Sequence, residues 1–384
     1  MSRSINQQAD LELVPFAIQD ERTKQDIHEW LPLTPKVFPI FGSKKIAYAP
    51  GMLKSIATFQ PDLIHQYIVW QYPAYAANRA QQLAKIPLIL STQGMLEPWA
   101  VKNQGIAKRI ALHLFQRRQL VRNVSCLHAV SEREVDTLRG FGCKAPVCVV
   151  PNGVETDEFD PSARDEYYSP NGRPYILFLS RLHPKKGVES LIKGWAKFTA
   201  AMREPMKGLT LVIAGWDENN YRQKLIEEAR NLGIPFAEKL ESWTDETSLV
   251  FAGATFGNRK SAALANCKGF ILPSASEGLP IAVLEAWGNR KAVMMTDGCN
   301  IPEGFDAHAA LRIASSIPPD QAVFAALTTW AAMTEEQRDL MGNRGKELVD
   351  RVFNWRSAGQ QMASVYQWLL GRSDKPLSVR EYRG

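Results

Sequence analysis

Four charged residues carry the chemistry this sequence can do: Arg181, Lys186, Glu277 and Glu285. Arg181 and Lys186 lie in Phe178-Leu179-Ser180-Arg181-Leu182-His183-Pro184-Lys185-Lys186-Gly187, where an apolar strand pattern gives way to a loop and then a helix at Gly187. A guanidinium fork and an ammonium point charge at a strand's carboxyl end suit a diphosphate. Glu277 and Glu285 lie in Pro273-Ser274-Ala275-Ser276-Glu277-Gly278-Leu279-Pro280-Ile281-Ala282-Val283-Leu284-Glu285-Ala286-Trp287. Gly278 permits close backbone approach to a ligand. Pro280 suits a first helical turn, whose free N–H groups and positive dipole end make an anion site. Glu285 interrupts an otherwise apolar run, so its carboxylate needs a partner, and a pair of sugar hydroxyls would serve. Each motif alone has a plain reading as a basic loop, a surface carboxylate or a salt bridge.

These residues need elements to position them. Short apolar strand patterns recur at Leu11–Ile18, Leu63–Val69, Ile86–Ser91, Leu127–Val130 and Pro146–Val150, with helical patterns at Ala74–Ala84, Ile106–Arg122 and Glu132–Arg139. After a polar stretch over 155–172 the alternation restarts. Strands are expected at Tyr175–Ser180, Leu209–Ala214, Leu249–Phe251, Gly269–Pro273 and Ala292–Thr296. Helices are expected at Gly187–Ala201, Asp217–Leu232, Arg259–Asn266 and Pro280–Trp287, with a mostly helical end from Pro319 to Leu370. Strands alternating with helices imply parallel sheets covered on both faces, whose ligands bind beyond the strands' carboxyl ends. The expected division is an N-terminal domain over 1–160, a C-terminal domain over 173–355, and a helix and tail over 356–384 packing back on the first.

The order Pro151-Asn152-Gly153-Val154, Arg181 with Lys186-Gly187, Ile213-Ala214-Gly215, then Pro-Ser-x-x-Glu-Gly-Leu-Pro-x-x-x-Leu-Glu-Ala resembles the family 4 retaining glycosyltransferases, also called glycosyl transferases group 1. The resemblance covers about residues 60 to 370. It implies the α/β GT-B fold, two Rossmann-like doubly wound domains facing a cleft. It also implies sugar transfer with retention from a nucleotide-diphosphate sugar (the EC 2.4 class, hexosyl type). Arg181 and Lys186 would hold the diphosphate and stabilise the departing nucleotide, and Glu277 would contact the transferred sugar. Gly278, Leu279, Pro280 and Gly215 would complete the donor site, and Glu285 would bind the ribose. No cofactor or metal is implied. Alanine at Glu277 or Lys186 is expected to abolish transfer and leave the fold intact.

In the first half, Asp62-Leu63-Ile64-His65, Trp70-Gln71-Tyr72-Pro73 and Gln93-Gly94-Met95-Leu96-Glu97-Pro98-Trp99-Ala100 resemble a branch associated with bacterial surface polysaccharide and lipopolysaccharide assembly. That likeness places Gln93, Gly94 and Tyr67 on the side of a saccharide or lipid-linked acceptor. The branch has histidines near the positions of Tyr67 and Gln93, and this chain has other residues there. The strand, Gly-Gly loop and helix that open the family's first domain are not found before Leu11, so this domain is expected to lack its first strand–helix unit. A non-catalytic nucleotide-sugar-binding member is the alternative reading. A sugar-nucleotide epimerase of the same fold fits the Glu277/Glu285 setting less well, and no G-x-G-x-x-G follows a strand as a dehydrogenase would need.

Bulk properties bound these readings. The 384 residues, 45% hydrophobic and 22% charged, fit two globular domains. No run approaches the roughly 20 apolar residues of a membrane span. Residues 1–10 show no apolar signal core, so a cytoplasmic location is expected. The net charge is +6. Lys102, Lys108, Arg109, Arg117, Arg118 and Arg122 alternate with apolar residues and read either as an amphipathic helix lying on the inner face of an anionic membrane or as an ordinary solvated helix face. No nucleic-acid motif is present. The five cysteines and the histidines His28, His113 and His308 have no metal-ligand or disulfide spacing.

Overall fold

The computed structural model describes residues 1–8, 11–67, 69, 71–96, 123–155, 172–201 and 208–382. The basic segment 102–122, the polar stretch 156–171, His113, Trp70 and residues 97–100 lie outside them. The chain divides into two compact units, Met1–Asn152 with Trp355–Gly384, and Gly153–Asn354. The division falls at Asn152/Gly153, just ahead of the polar stretch. Asn152 is hydrogen-bonded within the first unit, and Val154 pairs with Asn354 in the second.

The first unit holds helix α1 (Ser2–Asn6), strands β1 (Phe16–Ile18) and β2 (Lys36–Phe38), helix α2 (Gly51–Phe59), strand β3 (Ile64–Gln66), helix α3 (Tyr72–Ala84) and strand β4 (Leu88–Ser91). Strand β5 (Cys126–Ala129), helix α4 (Glu132–Gly140) and strand β6 (Val147–Val149) follow. β1 and β2 form a parallel pair of their own, while β3, β4, β5 and β6 run parallel in a second sheet. β4 and β5 are buried at every position, as expected of parallel strands covered on both faces. A cavity of about 440 Å³ lies where residues 11–16, leading into β1, approach β3; Met52, Phe59 and Tyr366 also line it.

The second unit is a seven-stranded, wholly parallel sheet. Its strands are β7 (Tyr175–Leu179), β8 (Thr210–Ala214), β9 (Phe236–Ala237), β10 (Leu249–Gly253), β11 (Gly269–Leu272), β12 (Val293–Thr296) and β13 (Ala310–Ile313), in the order β13-β12-β11-β7-β8-β10-β9. Helices α5 (Val188–Ala201), α6 (Tyr221–Asn231), α7 (Gly257–Asn266), α8 (Ile281–Gly288), α9 (Pro302–Asp306), α10 (Pro319–Ala332) and α11 (Glu335–Arg351) cover it. Trp195, Trp287, Tyr175 and Phe178 are fully buried in one continuous core.

The chain then returns to the first unit as α12 (Trp355–Leu369), followed by β14 (Val379–Arg380), which adds antiparallel to β6. α12 packs on α1 so closely that a Cβ on Gly359 would lie 2.6 Å from Ser4 Cβ. The sequence reading left α1, β2, α2, β9, α9, β13 and β14 without structure. Strands of two to four residues show too little alternation to read, but α2 has a legible signal in Met52, Leu53, Ile56 and Phe59 after Pro50.

Candidate functional site

In the sheet of the second unit the strand order reverses at β7. β8 lies on one side and β11 on the other, which is the switch point where open parallel sheets bind ligands. The β7 loop carries Arg181 and Lys186, and the β11 loop carries Glu277. Gly187 (φ 71°) makes their approach possible, since a Cβ there would lie 2.2 Å from Pro273 O. Ala275 N donates to Lys185 O at 2.8 Å and joins the two loops.

Lys186 and Glu277 meet directly. Nζ lies 2.5 Å from Oε1, and the residues are only 8% and 7% exposed. Ser274 Oγ donates to the same oxygen at 2.6 Å. The β12 loop completes the clamp: Glu277 N donates to Gly298 O at 2.8 Å, and Asn300 Nδ2 donates to Glu277 O. Glu277 is therefore a buried, paired carboxylate rather than a surface residue on a loop. Beneath it, burial pushes the Cys299 thiol up to about 12, with Glu277's charge adding to the effect.

Gly278 and Leu279 follow Glu277, and no described residue accepts from their N–H groups. Pro280 caps α8, whose first N–H groups have no intrahelical acceptor. The dipole, the free amides and the β7 loop with its two cations make a corner that suits an anion. Arg181 Nη1 pairs with Glu218 Oε2 at 3.0 Å and stays partly exposed. Glu285 lies along α8 and takes Lys260 Nζ of α7 at 2.6 Å. Its partner in this structure is thus a lysine, where the sequence pointed to sugar hydroxyls. Gly215 is required for packing: a Cβ there would lie 1.7 Å from Ser180 O, and its N–H donates to Gly253 O at 2.7 Å. Trp216 and Phe256, on the β8 and β10 loops, are exposed large aromatic residues. The sequence reading missed Ser274, Glu218, Lys260 and Asn300; only the Ser274-x-x-Glu277 spacing hinted at a contact.

The first unit places Gln93 and Gly94 on the β4 loop, both left-handed, at φ 49° and 73°. Tyr67, after β3, stacks on His65 with ring centroids 4.3 Å apart, and its hydroxyl meets Met1 Sδ. Burial raises the pKa of Tyr67. His65, which ends the Asp62–His65 motif, and His128, which lies in no motif, belong to a buried polar chain. Tyr366 Oη, His65 Nδ1, His65 Nε2, Ser91 Oγ, His128 Nδ1, His128 Nε2 and Val150 O are linked by contacts of 2.6–2.7 Å. Val150 O can only accept, so His128 Nε2 carries a proton. In neutral rings the direction then runs unbroken from the Tyr366 hydroxyl to the Val150 carbonyl. Burial lowers His65 well below the usual histidine range, helped by neighbouring His128, and lowers His128 to about 4.

Paired cations, a helix N-terminus and a carboxylate at the switch point of a parallel sheet define a site for a diphosphate bearing a polar group. Residues 16–153 match the glycosyl transferase 4-like domain and residues 160–348 match glycosyl transferases group 1. A GDP-mannose-dependent alpha-mannosyltransferase of Mycolicibacterium smegmatis is 26% identical over 262 residues, 65% of this chain and 59% of that protein. An alpha-maltose-1-phosphate synthase of Mycobacterium tuberculosis is 24% identical over 325 residues, 79% of this chain and 78% of that one. Among solved structures, Anabaena HepE in complex with UDP and glucose superposes with TM-score 0.70 at 18% identity, covering 92% of this chain and 91% of that one. WaaG, a glycosyltransferase involved in lipopolysaccharide biosynthesis, superposes with TM-score 0.64 at 15% identity, covering 92% and 99%. At such identities the structural likeness is one of fold, two Rossmann-like units of the GT-B type. The chain belongs to the group 1 (family 4) glycosyltransferases.

Proposed function

We propose that this glycosyltransferase moves a hexosyl group from a nucleotide-diphosphate sugar to a hydroxyl of a saccharide or lipid-linked saccharide, with retention at the anomeric carbon. The observation that carries the reading is the buried Lys186–Glu277 pair beside the open N-terminus of α8. In the reaction the bond from C1 to the diphosphate oxygen breaks, and its electron pair leaves with the nucleotide. The acceptor oxygen bonds to C1, and its proton passes to the departing phosphate.

Lys186, Arg181 and the amides of Gly278 and Leu279 stabilise the charge that develops on the leaving diphosphate. Groups fixed before the reaction stabilise charge without reorganising. Glu277 accepts from hydroxyls of the transferred sugar, Glu285 from the ribose, and exposed Trp216 and Phe256 offer faces to the base. HepE's UDP and the M. smegmatis enzyme's GDP-mannose support a UDP or GDP donor. Gln93, Gly94 and Tyr67 face the acceptor. Transfer proceeds without a metal, in the cytoplasm, with segment 102–122 resting on the anionic inner membrane face. The pathway is polysaccharide or lipopolysaccharide assembly.

The test supplies UDP-glucose or GDP-mannose with a panel of acceptors: glucose 1-phosphate, inositol 1-phosphate and a membrane-lipid extract. Released nucleoside diphosphate is measured with and without EDTA. Acceptor-dependent release, insensitive to EDTA, is expected. A folded protein that neither releases nor binds UDP or GDP at millimolar concentration would sink the reading.

A further inference from the structure

Glu134 is a buried carboxylate, and no cation among the described residues pairs with it. It is 3% exposed, at the third position of α4, where its own N–H bonds Ser131 Oγ. Three donors converge on it instead. Thr92 Oγ1 donates to Oε1 at 2.5 Å, Gly94 N to Oε1 at 2.6 Å, and Val130 N to Oε2 at 2.8 Å. The α4 dipole adds to this field.

Thr92 and Gly94 flank Gln93, so the carboxylate of Glu134 pins the β4 loop on both sides of that residue. Gln93 is left-handed at φ 49°, a conformation that a side chain adopts only when its surroundings impose it. Its side chain is fixed as well, because Asn152 Nδ2 donates to Gln93 Oε1 at 2.8 Å. With Oε1 occupied, the amide is oriented so that Nε2 points its two hydrogens elsewhere, and no described residue accepts from them.

We infer that Glu134 and Asn152 are positioning residues that present Gln93 Nε2 as a hydrogen-bond donor to an oxygen of the acceptor. The inference rests on the acceptor-side reading of Gln93. A carboxylate is required at 134 because three donors meet there. A carboxamide there would set its NH₂ against either Val130 N–H or the loop donors. An amide is required at 152 because it decides which end of Gln93 faces outward.

Asn152→Asp is the sharpest variant. The aspartate can only accept, so Gln93 turns its NH₂ inward and its oxygen outward. A hydrogen bond persists, the stability holds, and the outward donor is lost. With the donor–acceptor pair of greatest turnover in the panel above, Asn152→Asp and Glu134→Gln are expected to lower kcat/KM for the acceptor about 10- to 100-fold, the worth of one buried hydrogen bond to a charged or reacting group. Affinity for UDP or GDP, carried by the other unit, stays unchanged. Thr92→Val loses activity in the same direction, and Thr92→Ser, which keeps the hydroxyl, regains most of it.

Wild-type acceptor kinetics in folded Asn152→Asp would overturn the assignment. A wild-type chain that turns over none of the panel would instead overturn the functional reading. The positioning claim would then be decided by hydrogen exchange at Gly94, expected about tenfold faster in Glu134→Gln; unchanged protection there overturns it.

Discussion

Replacing Lys186 with alanine leaves the Glu277 carboxylate with the Ser274 hydroxyl as its remaining side-chain partner. The side chains of Lys186 and Glu277 are only 10% and 9% exposed, so water does little to compensate. Removing one partner of such a pair costs about 3–5 kcal/mol, because a charge is stranded rather than because the pair itself is strong. For a unit the size of Gly153–Asn354 that corresponds to a fall in Tm of about 6–20 °C. Glu277→Ala strands the ammonium and should act alike. Either alanine variant is therefore expected to abolish transfer and to unfold at a lower temperature. The double variant Lys186→Met with Glu277→Gln removes both charges and should recover much of the stability and none of the transfer. Urea unfolding followed through the buried Trp195 and Trp287 gives the double-mutant cycle. Two results would refute this reasoning: wild-type stability in Lys186→Ala, or a double variant as unstable as the two single losses added together.

Further predictions concern both units. His65 and His128 have lowered pKa values when folded, so protonation favours unfolding. The first unit keeps its stability above the unfolded histidine value near 6.5 and loses it as pH falls toward 4. His128 alone accounts for about 3 kcal/mol of that loss, read by urea titration between pH 7 and 4. Tyr366→Phe leaves His65 Nδ1 without its donor and should cost about 1–3 kcal/mol, measured the same way. Gly187→Ala forces the β7 and β11 loops apart, and should lower nucleotide affinity at least about tenfold with a loss of stability, measured by calorimetry.

The donor loops were legible because each announces itself locally. An apolar strand stops, Gly and Pro punctuate the turn, and charges stand in the loop. What local pattern cannot show is which loops meet. Lys186 and Glu277 touch because β11 lies beside β7, although β8, β9 and β10 come between them in the chain. The Glu285–Lys260 pair depends in the same way on where α7 and α8 lie, and the Arg181–Glu218 pair on the β7 and β8 loops running side by side. His65 and His128 were hidden for a different reason. Each sits inside an apolar strand, and only the register of β3, β4 and β5 lines them up with Ser91. Glu134 was read as part of a helix start, and a charged residue in the first turn of α4 gave no sign that it is buried against the Thr92 and Gly94 donors.

The central claim is that the β7 and β11 loops bind a nucleoside diphosphate. Arg181 tests it most directly, because its pair with Glu218 is partly exposed and its loss should change stability by about 1 kcal/mol or less. Calorimetric titration of UDP and GDP into wild-type protein and Arg181→Ala is the measurement. The account predicts saturable binding of at least one of them, weakened at least about tenfold in a variant that unfolds as the wild type does. Equal binding by both proteins, or binding by neither, would contradict it.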